Sequence, residues 1–249
     1  MSKQLEIVHE MNRLLNAANE NNLDLRLIGG LAVRVHSETK QIFAREYPDI
    51  DFVVGKRKRR KLQPFFQELG YLPDKQFNLL NGHRRQIYYD KQSGRRIDVF
   101  VGDFEMCHKL PLEDRLKLDP VTVPLAELLL SKTQIVELNR KDALDIISLL
   151  LHNDLGRDDD GKINLHRIAR LCVRYWGLYK TTSINLKRVE DMLLTEDLGL
   201  NEDERRLVLR RLRRIQRTLK AVSKNLFWQI RNQVGTRIRW YAEVEEVDR

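Results

Sequence analysis

Two carboxylates one residue apart, Asp49 and Asp51, sit in the apolar stretch Asp49-Ile50-Asp51-Phe52. Strand side chains alternate, so both acids share one face while Ile50 and Phe52 take the other. Such a pair repels itself and is costly beside a core unless a cation joins it. A hard divalent ion, Mg²⁺ or Mn²⁺, takes oxygen ligands of this kind and commonly shares them with phosphate oxygens. Upstream, Leu27-Ile28 runs into Gly29-Gly30, a turn that lets backbone N–H groups come close to phosphate. A third acid, Asp98, lies in Arg95-Arg96-Ile97-Asp98-Val99-Phe100-Val101. There Ile97, Val99 and Val101 point one way, and Arg96, Asp98 and Phe100 the other. If that strand lies beside the Asp49–Asp51 strand, three carboxylates converge on one face. The alternative for Asp98 is an ion pair with Arg84, Arg85 or Arg96. The chemistry these residues suit is that of a metal ion with a nucleoside triphosphate.

The elements that must position them follow from periodicity. Ile7, Met11, Leu14, Leu15 and Ala18 form one stripe and predict a helix over residues 3–20. A strand is expected at 25–28, a helix from Gly30 to about Val35, and a strand at 50–54 closed by Gly55. Six basic residues follow, Lys56 to Lys61, read either as a solvated first helical turn or as a phosphate or RNA contact. Residues 86–90 and 95–101 read as a hairpin turning at Gln92-Ser93-Gly94. Residues 111–124 read as a loop with strand character at 121–123, and Pro124 suits the first turn of a helix. Helices are then expected at 125–138 and 141–152, with Asp142 and Asp145 on one face of the second.

The composition changes at about residue 153. A polar loop covers 153–161; its Asp158-Asp159-Asp160-Gly161 lacks the ligand spacing of a calcium loop. Helices are expected at 164–176, 185–194 and 202–232. The last carries an apolar stripe of Val208, Leu212, Ile215, Leu219, Val222 and Leu226 among nine Arg and Lys residues between Arg205 and Lys224. It reads as a packed amphipathic helix with a solvated basic face, or as an RNA-backbone surface. Trp228, Trp240 and Tyr241 among arginines can stack on bases or close a core.

The Gly29-Gly30 turn, the Asp49–Asp51 pair and Asp98 together resemble the nucleotidyltransferases of the DNA polymerase β superfamily. Leu128-Leu129-Leu130-Ser131-Lys132, followed by Arg140-Lys141-Asp142-Ala143-Leu144-Asp145, makes the chain most similar to the AbiEii-type, toxin-like group. The resemblance spans roughly residues 23–151. It departs from the pattern at Gly30, where many members have Ser, and in its long gap before Asp49. It implies that Asp49, Asp51 and Asp98 are catalytic and hold the metal. It further implies that Gly29, Gly30, Lys132, Asp142 and Asp145 bind the nucleotide, and that His36 and Arg45 contact substrate. The implied activity is transfer of a nucleoside monophosphate from a nucleoside triphosphate to an acceptor hydroxyl. RNA of the tRNA kind is the expected acceptor, with a toxin role and an antitoxin partner as further expectations. A small-molecule, antibiotic-type transferase and a catalytically idle RNA-binding protein are the alternatives.

The expected architecture is α/β (α+β): a nucleotidyltransferase-like domain with a small mixed sheet over 1–152, and an all-α basic domain over 153–249. The net charge of +9 attracts polyanions without requiring specificity. No apolar run approaches the roughly 18 residues of a membrane span, the N-terminus lacks a signal-peptide core, and Cys107 and Cys172 are not spaced as a metal pair. A cytoplasmic protein with no membrane partner is expected. There is no HExxH, nucleophile elbow or P-loop.

Overall fold

The computed structural model describes residues 3–37 and 45–243. It divides into two compact units. The first comprises the described residues of Met1–Val35, Ala44–Glu105 and Leu110–Pro124. Its opening helix α1 (Lys3–Glu20) buries the expected stripe of Ile7, Met11, Leu14, Leu15 and Ala18.

Five strands form the sheet: β1 (Arg26–Ile28), β2 (Asp49–Val54), β3 (Tyr71–Pro73), β4 (Arg85–Asp90) and β5 (Arg96–Val101). Their order is β1-β2-β5-β4-β3, with β2 and β5 parallel and the other pairs antiparallel. The sheet is therefore small and mixed, as expected. One face carries Leu27, Ile50, Phe52, Ile97 and Val99, all fully buried. Helix α3 (Leu62–Glu68) covers that face, where Phe66 stacks on Tyr88 at 4.4 Å and meets Tyr71 edge-on at 5.7 Å. The helices α2 (Gly29–Val35) and α4 (Lys75–Asn81) flank the sheet. The strand character expected at 121–123 is a short parallel bridge: Leu27 N–H donates to Val121 O and Val123 N–H to Leu27 O, each at 2.9 Å.

The second unit takes in the described residues of His36–Phe43, Met106–Lys109 and Leu125–Arg249. Its helices are α5 (Leu125–Thr133), α6 (Arg140–His152), α7 (Leu165–Arg174), α8 (Trp176–Thr195), α9 (Glu202–Ala221) and α10 (Leu226–Val234). Composition places α5 and α6 with the N-terminal part, ending at residue 152. In the structure they group with the C-terminal helices, because every residue of α5 is buried and it packs on α6, α7 and α8.

Three helix limits differ from the sequence reading. Helix α5 stops at Thr133, not at 138, because the Asn185 side chain donates to Thr133 O at 3.0 Å and to Ile135 O at 2.6 Å. Those bonds supply partners for carbonyls that a continuing helix would have used. Helix α8 starts at Trp176, nine residues before the expected start. Its weak helix formers Thr181 and Thr182 are buried and spend their hydroxyls on tertiary bonds, to His108 and to Thr133. The single helix expected over 202–232 is two, α9 and α10. Lys224 Nζ caps the end of α9 by donating to Leu219 O, Lys220 O and Val222 O, and Asn225 starts α10 by accepting from Trp228 N–H at 2.8 Å. The apolar stripe therefore ends at Leu219, and Leu226 is 67% exposed.

No helix among the described residues is long and apolar enough to cross a membrane. Cys107 and Cys172 are both buried and free.

Candidate active site

The parallel register of β2 and β5 sets Asp51 opposite Asp98 and Asp49 opposite Arg96. The three carboxylates thus fall on one face of the sheet, opposite the face that α3 covers. On the other side of β2, Ile28 pairs with Asp51, so the turn after β1 begins beside that carboxylate. Gly29 has φ +76°, and a Cβ placed there would stand 2.2 Å from Asp51 Oδ2. At Gly30 a Cβ would stand 2.7 Å from Arg45 Nη2 and 2.9 Å from Tyr47 Cε1. Gly29 is favoured by its positive φ and the approach of Asp51, while at Gly30 the near atoms are the side-chain ends of Arg45 and Tyr47, the guanidinium lying 5.2 Å over the ring.

Asp98 is 2% exposed, and both its oxygens are engaged. Arg85 grips it with two nitrogens, Nε at 2.7 Å from Oδ1 and Nη2 on Oδ2, and Arg96 Nη2 donates to Oδ2 at 2.8 Å. Burial works against the charge of Arg85, but its bonds to Asp98 and the fields of Asp98, Asp51 and Asp49 hold its pKa above the ordinary value. Of the three candidate partners for Asp98, Arg85 and Arg96 are used, while Arg84 donates to Asn81 Oδ1 at 3.0 Å. Alternation carries the signal: Arg85 and Arg96 lie on strands β4 and β5 with their Cβ atoms on the same face as Asp98.

The half-buried pair Asp49 and Asp51 has the oxygen-donor chemistry of a hard divalent cation. Asp98 stands apart from them as a guanidinium-bound carboxylate. Among the described residues no group of three or more His, Cys, Asp or Glu side chains is gathered to hold a metal ion. On the same face the buried donor Arg96 Nε has no hydrogen-bond partner among the described residues.

The remaining candidate residues belong to the second unit. Asn139 caps α6, accepting from Asp142 N–H at 2.9 Å. One turn on, Asp145 lies on the same face, and Lys132 Nζ sits between the two carboxylates at 2.9 Å from each. Lys132 is only 9% exposed. Burial disfavours its charge, but Asp145 and Asp142 overcome this and push its pKa up to about 12. His36 follows α2, and its carbonyl accepts from Asn153 Nδ2 at 3.3 Å.

The C-terminal basic residues split by role. Arg205 donates to Leu193 O and Glu196 O, Arg211 to Leu150 O and Leu151 O, and Arg213 pairs with Glu190 at 2.7 Å. On α9, Arg206, Arg210, Arg214, Arg217 and Lys220 are exposed along one face. The aromatics behave as a cap: Trp228 is buried, Arg231 lies 4.0 Å over Trp176, and Trp240 Nε1 donates to Thr181 Oγ1 at 3.0 Å.

No family model and no curated protein matches the chain. Among solved structures it is similar to the antibiotic-resistance factor ANT(2'')-Ia in solution, at 17% identity and a TM-score of 0.45 over 71% of this chain and 95% of that one. The crystal structure of ANT(2'')-Ia in complex with adenylyl-2''-tobramycin gives 15% identity and a TM-score of 0.40, over 59% and 88%. An antigenic nucleotidyltransferase-like protein from Paracoccidioides brasiliensis gives 18% identity and a TM-score of 0.38, over 70% and 90%.

Proposed function

We propose that this chain is a divalent-metal-dependent nucleotidyltransferase that moves a nucleoside monophosphate from a nucleoside triphosphate to an acceptor hydroxyl, with RNA as the acceptor. The observation that carries the reading is the β2–β5 register, with Asp51 beside Asp98, Asp49 on the same face, and the Gly29 turn pressed on Asp51.

In this reading Asp49 and Asp51 hold the cation. When bound, a divalent ion supplies charge for the triphosphate and lowers the pKa of the acceptor hydroxyl. The N–H groups of Gly29 and Gly30 and the Arg45 guanidinium receive phosphate oxygens at the turn. Asp98, once Arg85 and Arg96 let go, takes the proton of the attacking hydroxyl. The new P–O bond forms at the α-phosphorus, the α–β bridging P–O bond breaks, and pyrophosphate leaves. Arg85 and Arg96 are then free to meet phosphate charge. For Lys132, Asp142 and Asp145 the reading keeps the nucleotide contact, and for His36 the substrate contact, that the family resemblance implies. The exposed α9 arginines and the net charge of +9 support an RNA acceptor.

The test is thermal unfolding with Mn²⁺ or Mg²⁺ and each nucleoside triphosphate. A ligand that binds only the native state at a hundred times its Kd stabilises by about 2.7 kcal/mol. The upward shift is expected for the wild type and for Asp98→Asn, and its loss for Asp49→Ala. No shift in the wild type under any condition would mean an idle site and sink the reading.

A further inference from the structure

The other face of the same sheet carries a second feature. A cleft of about 550 Å³ opens at the β3–β4 edge. Gln86, which lines it, points away from the face carrying Arg85 and Asp98, as strand alternation requires. Four cationic or titratable nitrogen groups line this cleft: Arg59, Arg60, Lys75 and His83. No carboxylate does.

The basic run explains how they come together. Lys56 to Lys61 winds as a 3-10 turn, with three residues per turn. Lys56 folds back to Asp103 at 3.3 Å, and Lys58 Nζ donates to Asn22 O at 2.8 Å. Arg59 and Arg60 instead extend into the cleft. Lys75 comes from the first turn of α4 and His83 from the turn after it. None of the four makes a side-chain hydrogen bond or ion pair among the described residues. The wall behind them is fixed. Asn78 donates to Ile87 O at 3.0 Å and accepts from Ile87 N–H at 2.7 Å, while Gln86 Nε2 donates to Gly82 O at 3.0 Å.

We propose that this cleft is a phosphate-binding site, separate from the carboxylate face, that takes consecutive phosphate groups of a single-stranded nucleic acid. Converging cations without an acid among them repel one another, and a polyanion relieves this. The volume lies within the usual range of ligand clefts, roughly 300–1,000 Å³. The same phosphate chemistry is also offered by free polyphosphate. The inference does not depend on the transferase reading, because it concerns different residues on the opposite face.

The experiment is fluorescence anisotropy of an end-labelled oligouridylate, with affinity followed against salt, and calorimetry with inorganic tripolyphosphate. Arg59→Ala/Arg60→Ala is expected to weaken oligouridylate binding about tenfold and to shrink the salt slope by about 1.4, at ~0.7 per lost phosphate contact on a single strand. Lys75→Ala is expected to shrink it by about half as much. Both variants should unfold at or above the wild-type temperature, since their side chains hold no partner among the described residues and their mutual repulsion is reduced. Both measurements are made in EDTA without nucleoside triphosphate, which separates this site from failure of the transferase reading. Tripolyphosphate heat that vanishes in the double variant, with oligouridylate binding unchanged, would replace the strand by free polyphosphate and overturn the proposal as stated. Unchanged affinity and slope in both cleft variants would overturn the site itself.

Discussion

Replacing Gly29 by alanine tests how the turn and the carboxylates are built together. At φ +76° an alanine backbone costs about 1–2 kcal/mol. The new methyl would also stand 2.2 Å from Asp51 Oδ2, 3.1 Å from its Cγ and 3.2 Å from its Cβ. The carboxylate must move, which adds about 1–3 kcal/mol of overpacking. Gly94 is the internal control, with φ +68° and nothing within 4 Å of its would-be Cβ. Gly29→Ala should therefore cost about 2–5 kcal/mol and Gly94→Ala only the backbone part, about 1–2 kcal/mol. Asp51→Ala removes the two nearest contacts and leaves the Cβ at 3.2 Å, so in that background the cost of Gly29→Ala should fall toward that of Gly94→Ala. Urea denaturation of the four variants of the 29/51 cycle, with Gly94→Ala alongside, should give a coupling of about 1–3 kcal/mol between positions 29 and 51. Equal costs at Gly29 and Gly94, or a coupling within about 0.5 kcal/mol of zero, would refute the geometry of the site.

Lys132→Met should lower unfolding stability by about 3–5 kcal/mol, because it leaves two carboxylates, one of them 5% exposed, without their shared cation; calorimetry or urea denaturation reads this. Asn185→Ala should cost about 1–3 kcal/mol by stranding the carbonyls of Thr133 and Ile135, again read by denaturation. His108 carries a pH dependence. Its Nε2 shares a hydrogen bond of 2.7 Å with Thr181 Oγ1, and burial pushes the histidine pKa down to about 4. The unfolded chain then binds the extra proton between its ordinary value near 6.5 and 4. Stability is complete above that window and falls as the pH drops through it. His108→Asn should flatten this part of the acid limb in a pH series of urea midpoints.

The carboxylate face was legible because strand alternation is local. Asp49 and Asp51 sort to one face of their strand from spacing alone, and Ile50 and Phe52 to the other; that Asp98 joins them depended on the pairing of its strand with theirs, which the β2–β5 register supplies. The glycine pair was legible too, although what favours Gly29, the approach of Asp51, needed the turn in three dimensions. The helix limits were not legible, because distant side chains decide them. Asn185 ends α5 from a helix fifty residues away in sequence, and hydroxyls committed to tertiary bonds let Thr181 and Thr182 sit inside α8. The break between α9 and α10 is more local, since Lys224 and Asn225 lie at it, but a lysine folding back on carbonyls has no periodic signature. Burial of Lys132 was hidden for the same non-local reason. The grip of Arg85 and Arg96 on Asp98 was foreseeable among three arginines: alternation within β5 places Arg96 beside Asp98, and the β4–β5 register selects Arg85.

The most direct measurement is incubation of the purified protein with each α-phosphate-labelled nucleoside triphosphate, Mg²⁺ or Mn²⁺, and total bacterial RNA, resolved on a denaturing gel. The account predicts label on a tRNA-sized band with one nucleotide, absent in Asp49→Ala and in Asp98→Asn. Label that persists in both variants, or no transfer to RNA by a wild-type protein that the same nucleotide stabilises, would contradict it.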